Sequence, residues 1–126
     1  MTITFVDAEI ELLSVLVPAF PSYRFSTSLP GTVTSTTIRV KRISGANRDL
    51  LVDRPVIDID VYDPAEATAS SVARAIQAAL VAYASKATQN GVIQRAATIS
   101  GPRWLPTENQ TLTRYGATYE VFIRAA

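Results

Sequence analysis

Neither cysteine nor histidine occurs anywhere in the 126 residues. Without cysteine the chain has no disulfide, no thiolate nucleophile and no thiolate metal site, a composition that fits a reducing compartment. Without histidine it lacks the commonest metal ligand and the usual general base at neutral pH. Glycine is sparse too: Gly31, Gly45, Gly91, Gly101 and Gly116 are scattered and match neither a phosphate-binding loop nor a dinucleotide fingerprint. No charge predominates, since 12 Lys and Arg against 11 Asp and Glu leave a net +1. The bulk charge therefore gives no nucleic-acid signal, although a local patch can still be basic. Long apolar runs are also missing. The first one stops at Pro18, and Met1 to Glu9 lacks the positive region of a secretory signal. A mature, soluble, unanchored protein with no membrane partner is expected.

What is present is an ordinary globular composition, 48% apolar and 18% charged. A chain of this size buries roughly two thirds of its unfolded surface, enough for one core. A single domain over residues 1–126 is expected, with an α+β fold: a mostly antiparallel twisted sheet of about four to five strands against two main helices.

Asp7 reads as the N-cap of a first helix, with Glu9 and Glu11 in its first turn. Ile10, Leu13, Leu16 and Val17 give that helix an apolar stripe, and Pro18 stops it. Leu12 to Val17 is also compatible with a core strand, because short apolar runs are ambiguous by period. Tyr23-Arg24-Phe25 suggests a short strand before a turn at Leu29-Pro30-Gly31. From Thr34 to Ile43, Thr36, Ile38 and Val40 alternate with Thr37, Arg39 and Lys41, the pattern of a half-buried strand. Ser44 to Asp49 reads as a polar loop, and Pro55 as a bulge, an edge position or the start of the next strand, the last two being favoured.

The strand Val56 to Tyr62 puts Ile57, Ile59 and Val61 inward and Asp58 and Asp60 outward, where Arg39 and Lys41 of the neighbouring strand can form exposed ion pairs. Asp63, Pro64 and Glu66 then read as N-cap, first helical residue and capping-box partner of a second helix. Val72, Ile76, Ala79, Leu80 and Tyr83 form its stripe, and Asn90-Gly91 closes the segment. Val92 to Ile99 and Thr111 to Ile123 read as further strands, the last with Tyr115, Ala117, Tyr119, Val121 and Ile123 on one face.

Chemistry is poorly represented. Asp58 and Asp60 lie roughly 6–7 Å apart on one strand face, but no third metal ligand accompanies them. Ser70 and Ser71 have only a lysine such as Lys86 as an available base. No enzyme activity and no cofactor are expected. The surface is more informative. Arg39, Lys41, Arg42, Arg48 and Arg54 concentrate positive charge on the expected hairpin, readable as a solvated edge that discourages aggregation or as a contact to a partner or to nucleic-acid phosphates. Arg103 and Trp104 sit in a proline-flanked connection, where the tryptophan either plugs the core or serves as an interface hot spot.

The order of elements, with Ala73-Arg74-Ala75-Ile76-Gln77-Ala78-Ala79-Leu80, Gly101-Pro102-Arg103-Trp104-Leu105-Pro106 and Arg114-Tyr115-Gly116-Ala117-Thr118-Tyr119-Glu120-Val121, resembles the tail terminator proteins of long-tailed, siphovirus-type phages of actinobacteria. The resemblance covers essentially the whole chain. It implies a virion structural protein, assembled in the host cytoplasm, whose subunits form a hexameric ring at the head-proximal end of the tail. Such a ring caps the tail tube, stops its polymerisation and offers the head-tail joining surface. The implied partners are further copies of the chain, the tail tube protein and a head-side connector protein, with non-specific contact to DNA in the lumen as a further candidate. Arg39, Lys41, Arg42, Arg48, Arg54, Arg103 and Trp104 are the candidate interface residues. The alternatives are another head-to-tail connector or neck protein, and a monomeric cytosolic adaptor that captures a peptide on its sheet edge.

Overall fold

A computed structural model describes residues 5–28, 33–49, 51–108 and 111–125. The elements run α1 (Ala8–Ala19), β1 (Arg24–Ser26), β2 (Thr37–Asn47), β3 (Val52–Asp63), α2 (Glu66–Ala82), β4 (Ala84–Ala87), β5 (Gly91–Leu105) and β6 (Thr113–Ala125). They build one six-stranded sheet in the order β1-β2-β3-β6-β5-β4. The expected α+β class therefore stands, but the sheet has six strands and not four to five. The short strand suggested at Tyr23-Arg24-Phe25 is β1, parallel to β2. The additional strand is the short edge β4, antiparallel to β5, which lies where the second helix was expected to run on to Asn90-Gly91, because α2 ends at Ala82 and Gly91 opens β5.

Both helices lie on one face. Ile38, Val40, Ile57, Ile59, Val61, Ile93, Ala117, Tyr119, Val121 and Ile123 meet Leu12 and Leu16 of α1 and Val72, Ile76 and Leu80 of α2 in a single buried cluster. Alternation along β3 and β6 puts every second residue there, and each large aliphatic side chain so buried contributes about 1.5–3 kcal/mol.

The helix starts differ in kind. Asp7 caps α1 as expected, its Oδ1 accepting from the Glu9 and Ile10 N–H groups at 3.0 and 3.2 Å. Asp63 does not cap α2. It is still the last residue of β3, paired with Thr113, and its carboxylate accepts from Thr36 Oγ1 at 2.6 Å and from the Ala65 N–H at 2.8 Å. The helix begins two residues later than the motif suggests, with Ala65 at the cap position. Its buried stripe is Ala69, Val72, Ala73, Ile76 and Leu80, close to the expected one.

In α1 the buried face is Ala8, Glu11, Leu12, Val15 and Leu16, whereas Ile10 and Val17 are exposed. Apolar residues at helical spacing occur on both sides of this helix, so period alone could not choose between them. Pro18 lies inside the last turn and does not end the helix before it.

Three further expectations change. The segment Ser44 to Asn47 is strand, not loop, because β2 continues past a bulge between Arg42 and Ser44 and pairs with β3 as far as Asp53. Pro55 stands inside this central strand, opposite Gly45, whose φ of 99° lets the backbone approach closely. It is neither an edge residue nor the start of the strand. Likewise β5 runs on through Pro102 to Leu105 with successive register shifts, so Arg103 and Trp104 are strand residues. The expected turn at Leu29-Pro30-Gly31 lies outside the described residues.

Candidate functional site

The face of the sheet opposite the helices carries most of the polar chemistry. Asp60 on β3 is only 1% exposed although no helix covers it. Its Oδ2 accepts from Arg39 Nη2 of β2 at 2.6 Å and from Arg114 Nη2 of β6 at 3.3 Å, and Arg114 Nε stands 3.3 Å from Oδ1. The expected Arg39–Asp60 pair thus exists, but it is a shielded network and not a solvated one. Gly116 of β6 makes room for it, since a Cβ there would collide with the Asp60 carboxylate and the Leu105 side chain.

Burial opposes the Arg39 charge, but hydrogen bonding to Asp60 and the fields of Tyr62, Asp60 and Asp58 outweigh it and raise its pKa. Burial also raises Tyr62, with Asp60 adding to the effect.

Away from Asp60 the pairs continue along the same face. Asp58 accepts from Thr118 Oγ1 at 2.6 Å, and Arg54 bonds Glu120 at 3.0 Å. Phe122 lies beneath two guanidiniums, Arg95 at 4.6 Å and Arg54 at 5.3 Å from its ring centre. Arg103, opposite Gly116, reaches Ser100 Oγ at 2.8 Å. By alternation from Arg39 and Phe122, Lys41 and Arg124 belong to this face as well. The face therefore bears Arg39, Lys41, Arg54, Arg95, Arg103, Arg114 and Arg124 against Asp58, Asp60 and Glu120, an excess of positive charge that the near-neutral whole conceals.

The candidate residues are not brought into one site. Arg39, Lys41, Arg54 and Arg103 share the open face. Arg42 is held by Asp53 at 2.5 and 3.0 Å and by the Ser44 and Gly45 carbonyls, near the tip of the β2–β3 hairpin. Arg48 makes a 3.3 Å contact to the exposed Asp49. Trp104 pairs with Tyr115 at the opposite end of the sheet from that tip.

Trp104 is 59% exposed and so does not plug the core. It borders a cleft of about 370 Å³ with Pro106, Thr107, Leu112 and Thr113.

Sequence reasoning missed Arg95, Arg114 and Arg124, whose role comes from cross-strand register. Alternation within Thr113–Ala125 was the available signal, since Arg114, Glu120 and Arg124 fall on the side opposite Ala117 and Tyr119. Among the described residues there is no group of three or more His, Cys, Asp or Glu placed to hold a metal ion, and no helix long and apolar enough to cross a membrane.

No family model matches the chain, and no curated protein does so. A solved chain from the structure titled "Virion of native gene transfer agent (GTA) particle" shares the fold, with a TM-score of 0.63 at 19% identity, covering 89% of this chain and 86% of that one. The chain thus has the fold of a component of that virion particle, matched over nearly its whole length.

Proposed function

We propose that this protein is a non-enzymatic virion structural protein that closes into a ring on the head-proximal end of a phage tail tube, ending tube growth and presenting the joining surface to the head-side connector. The observation that carries the reading is the shared fold over 89% of the chain with a component of a gene transfer agent virion. Whole-chain coverage favours a subunit of the same build over a borrowed motif. The resemblance of the Gly101 to Pro106 and Arg114 to Val121 segments to tail terminators supplies the finer role.

Ring closure needs two different patches that meet head to tail. The exposed Trp104 beside its cleft supplies one, since a solvent-facing tryptophan next to a hollow has the character of an interface anchor. The β2–β3 hairpin tip, with Arg48 and the exposed Leu51, supplies another at the far end of the sheet.

Electron microscopy with mass determination tests the reading on the purified protein alone and mixed with its cognate tube protein. Rings, or capped tubes of limited length, are expected. A monomer that neither forms rings nor arrests tube growth would overturn it. Trp104→Ala is expected to leave the fold intact and abolish ring closure.

A further inference from the structure

The charge on the open face of the sheet is not balanced by the residues beside it. Arg39 and Arg114 share Asp60, and Arg54 has Glu120. Among the described residues Arg95 meets only the Phe122 ring and Arg103 only a hydroxyl and, at 3.5 Å, a carbonyl, whereas Lys41 is drawn round the sheet edge to Glu9 of α1 at 3.9 Å and is not one of the free cations. Arg95, Arg103 and Arg124 are all exposed. None of the exposed large apolar side chains comes from β3 or β6, the strands at the centre of this face.

A protein partner is met by an apolar core within a polar rim. A phosphate backbone is met by a polar, strongly cationic surface.

We infer that the open sheet face binds the phosphate backbone of double-stranded nucleic acid without reading its sequence. Arg95 and Arg103 lie opposite Phe122 and Gly116 on β6, roughly 20 Å apart at about 3.4 Å per residue. That separation lets one face span phosphates well apart on a duplex. The Asp60 and Glu120 carboxylates hold Arg39, Arg114 and Arg54 in place beneath, so the free cations stand on a fixed platform. Single strands are a poorer fit, because the Phe122 ring is already covered by two guanidiniums and offers no bare aromatic surface for a base to stack on. This inference stands apart from the ring reading, since a lone subunit carries the whole face.

The test is fluorescence anisotropy with the purified full chain and a mixed-sequence DNA duplex of about 30 base pairs, titrated from about 50 mM salt upward. Binding is expected to weaken with salt along a logarithmic slope of about −3, about 0.9 for each of the free cations Arg95, Arg103 and Arg124. Arg95→Ala and Arg103→Ala should each reduce the slope by about one, and Arg95→Glu with Arg103→Glu should remove binding while the circular dichroism stays unchanged. Arg74→Glu, on the exposed side of α2, should bind like the parent protein. The inference is overturned by no binding at the lowest salt, by a loss in Arg74→Glu equal to that in the sheet variants, by tighter binding of a single strand, or by equal competition from polyglutamate at matched charge, which would indicate an acidic protein partner.

Discussion

Gly45 shows how much one residue can hold in place. At a φ of 99° it sits opposite Pro55, and a Cβ would run into the Arg54 carbonyl oxygen. Gly45→Ala is therefore expected to cost about 1–3 kcal/mol in chemical denaturation, through backbone strain and not through any lost contact. Asp60 acts through charge. Asp60→Asn removes the carboxylate that Arg39 and Arg114 share, and a loss of about 2 kcal/mol is expected in the same measurement, below the full cost of a deeply buried pair because both guanidiniums are partly in water. Tyr119 gives a pH dependence. Its phenol is 1% exposed, and burial pushes its pKa up to about 12. The unfolded chain ionises near the ordinary phenol value of about 10, so between these values it binds fewer protons than the folded one. Stability should be intact below about pH 10 and fall as pH rises toward 12. Thermal melts across that range should show a shallower decline for Tyr119→Phe, with Tyr62 and Tyr83, both raised by burial, contributing what remains.

Among the elements, α1 does more than cover one end of the sheet. Glu11 is fully buried, its Oε1 accepting from the Asn90 N–H at 2.7 Å, and Ser14 Oγ accepts from the Gln89 N–H at 3.1 Å. The helix thereby holds the turn between β4 and β5. On its other flank the Glu9 carboxylate takes the Arg42 N–H at 2.8 Å, where β2 extends beyond the reach of β1. That contact shields part of an open sheet edge. Glu11→Ala should remove the charged acceptor of the Asn90 N–H and cost about 1.5–3 kcal/mol, with faster hydrogen exchange across residues 88–91 as the local readout. Helix α2 and strands β3 and β6 were legible in the sequence because their apolar residues follow one period. Helix α1 was legible as a helix but not in its orientation, since Ile10 and Val17 are as apolar as Leu12 and Leu16 and only the sheet selects between them. The β2 extension through Ser44 to Asn47 was hidden because its polar residues pair as strand only when β3 lies alongside.

For the molecule as a whole, charge separates by face. The outer face of the sheet is cationic, while Asp7, Glu9 and Glu11 of α1 and Asp63 and Glu66 at the start of α2 lie toward the helical side. Duplex binding that depends on Arg95 and Arg103, and ring closure that depends on Trp104, are therefore expected to be separable: each set of substitutions should remove one property and leave the other. The α+β class, the inward residues of the central strands and the exclusion of cysteine and histidine chemistry were all readable before any fold was seen, because composition and short-range periodicity are local properties. The six-strand order, the shielding of Asp60, the exposure of Trp104 and the grouping of Arg39, Arg54, Arg95, Arg103 and Arg114 arise only on folding. These depend on which strands are neighbours and in what register, and the pairing of β3 with β6 joins residues some 50 to 70 positions apart. No local pattern carries that information.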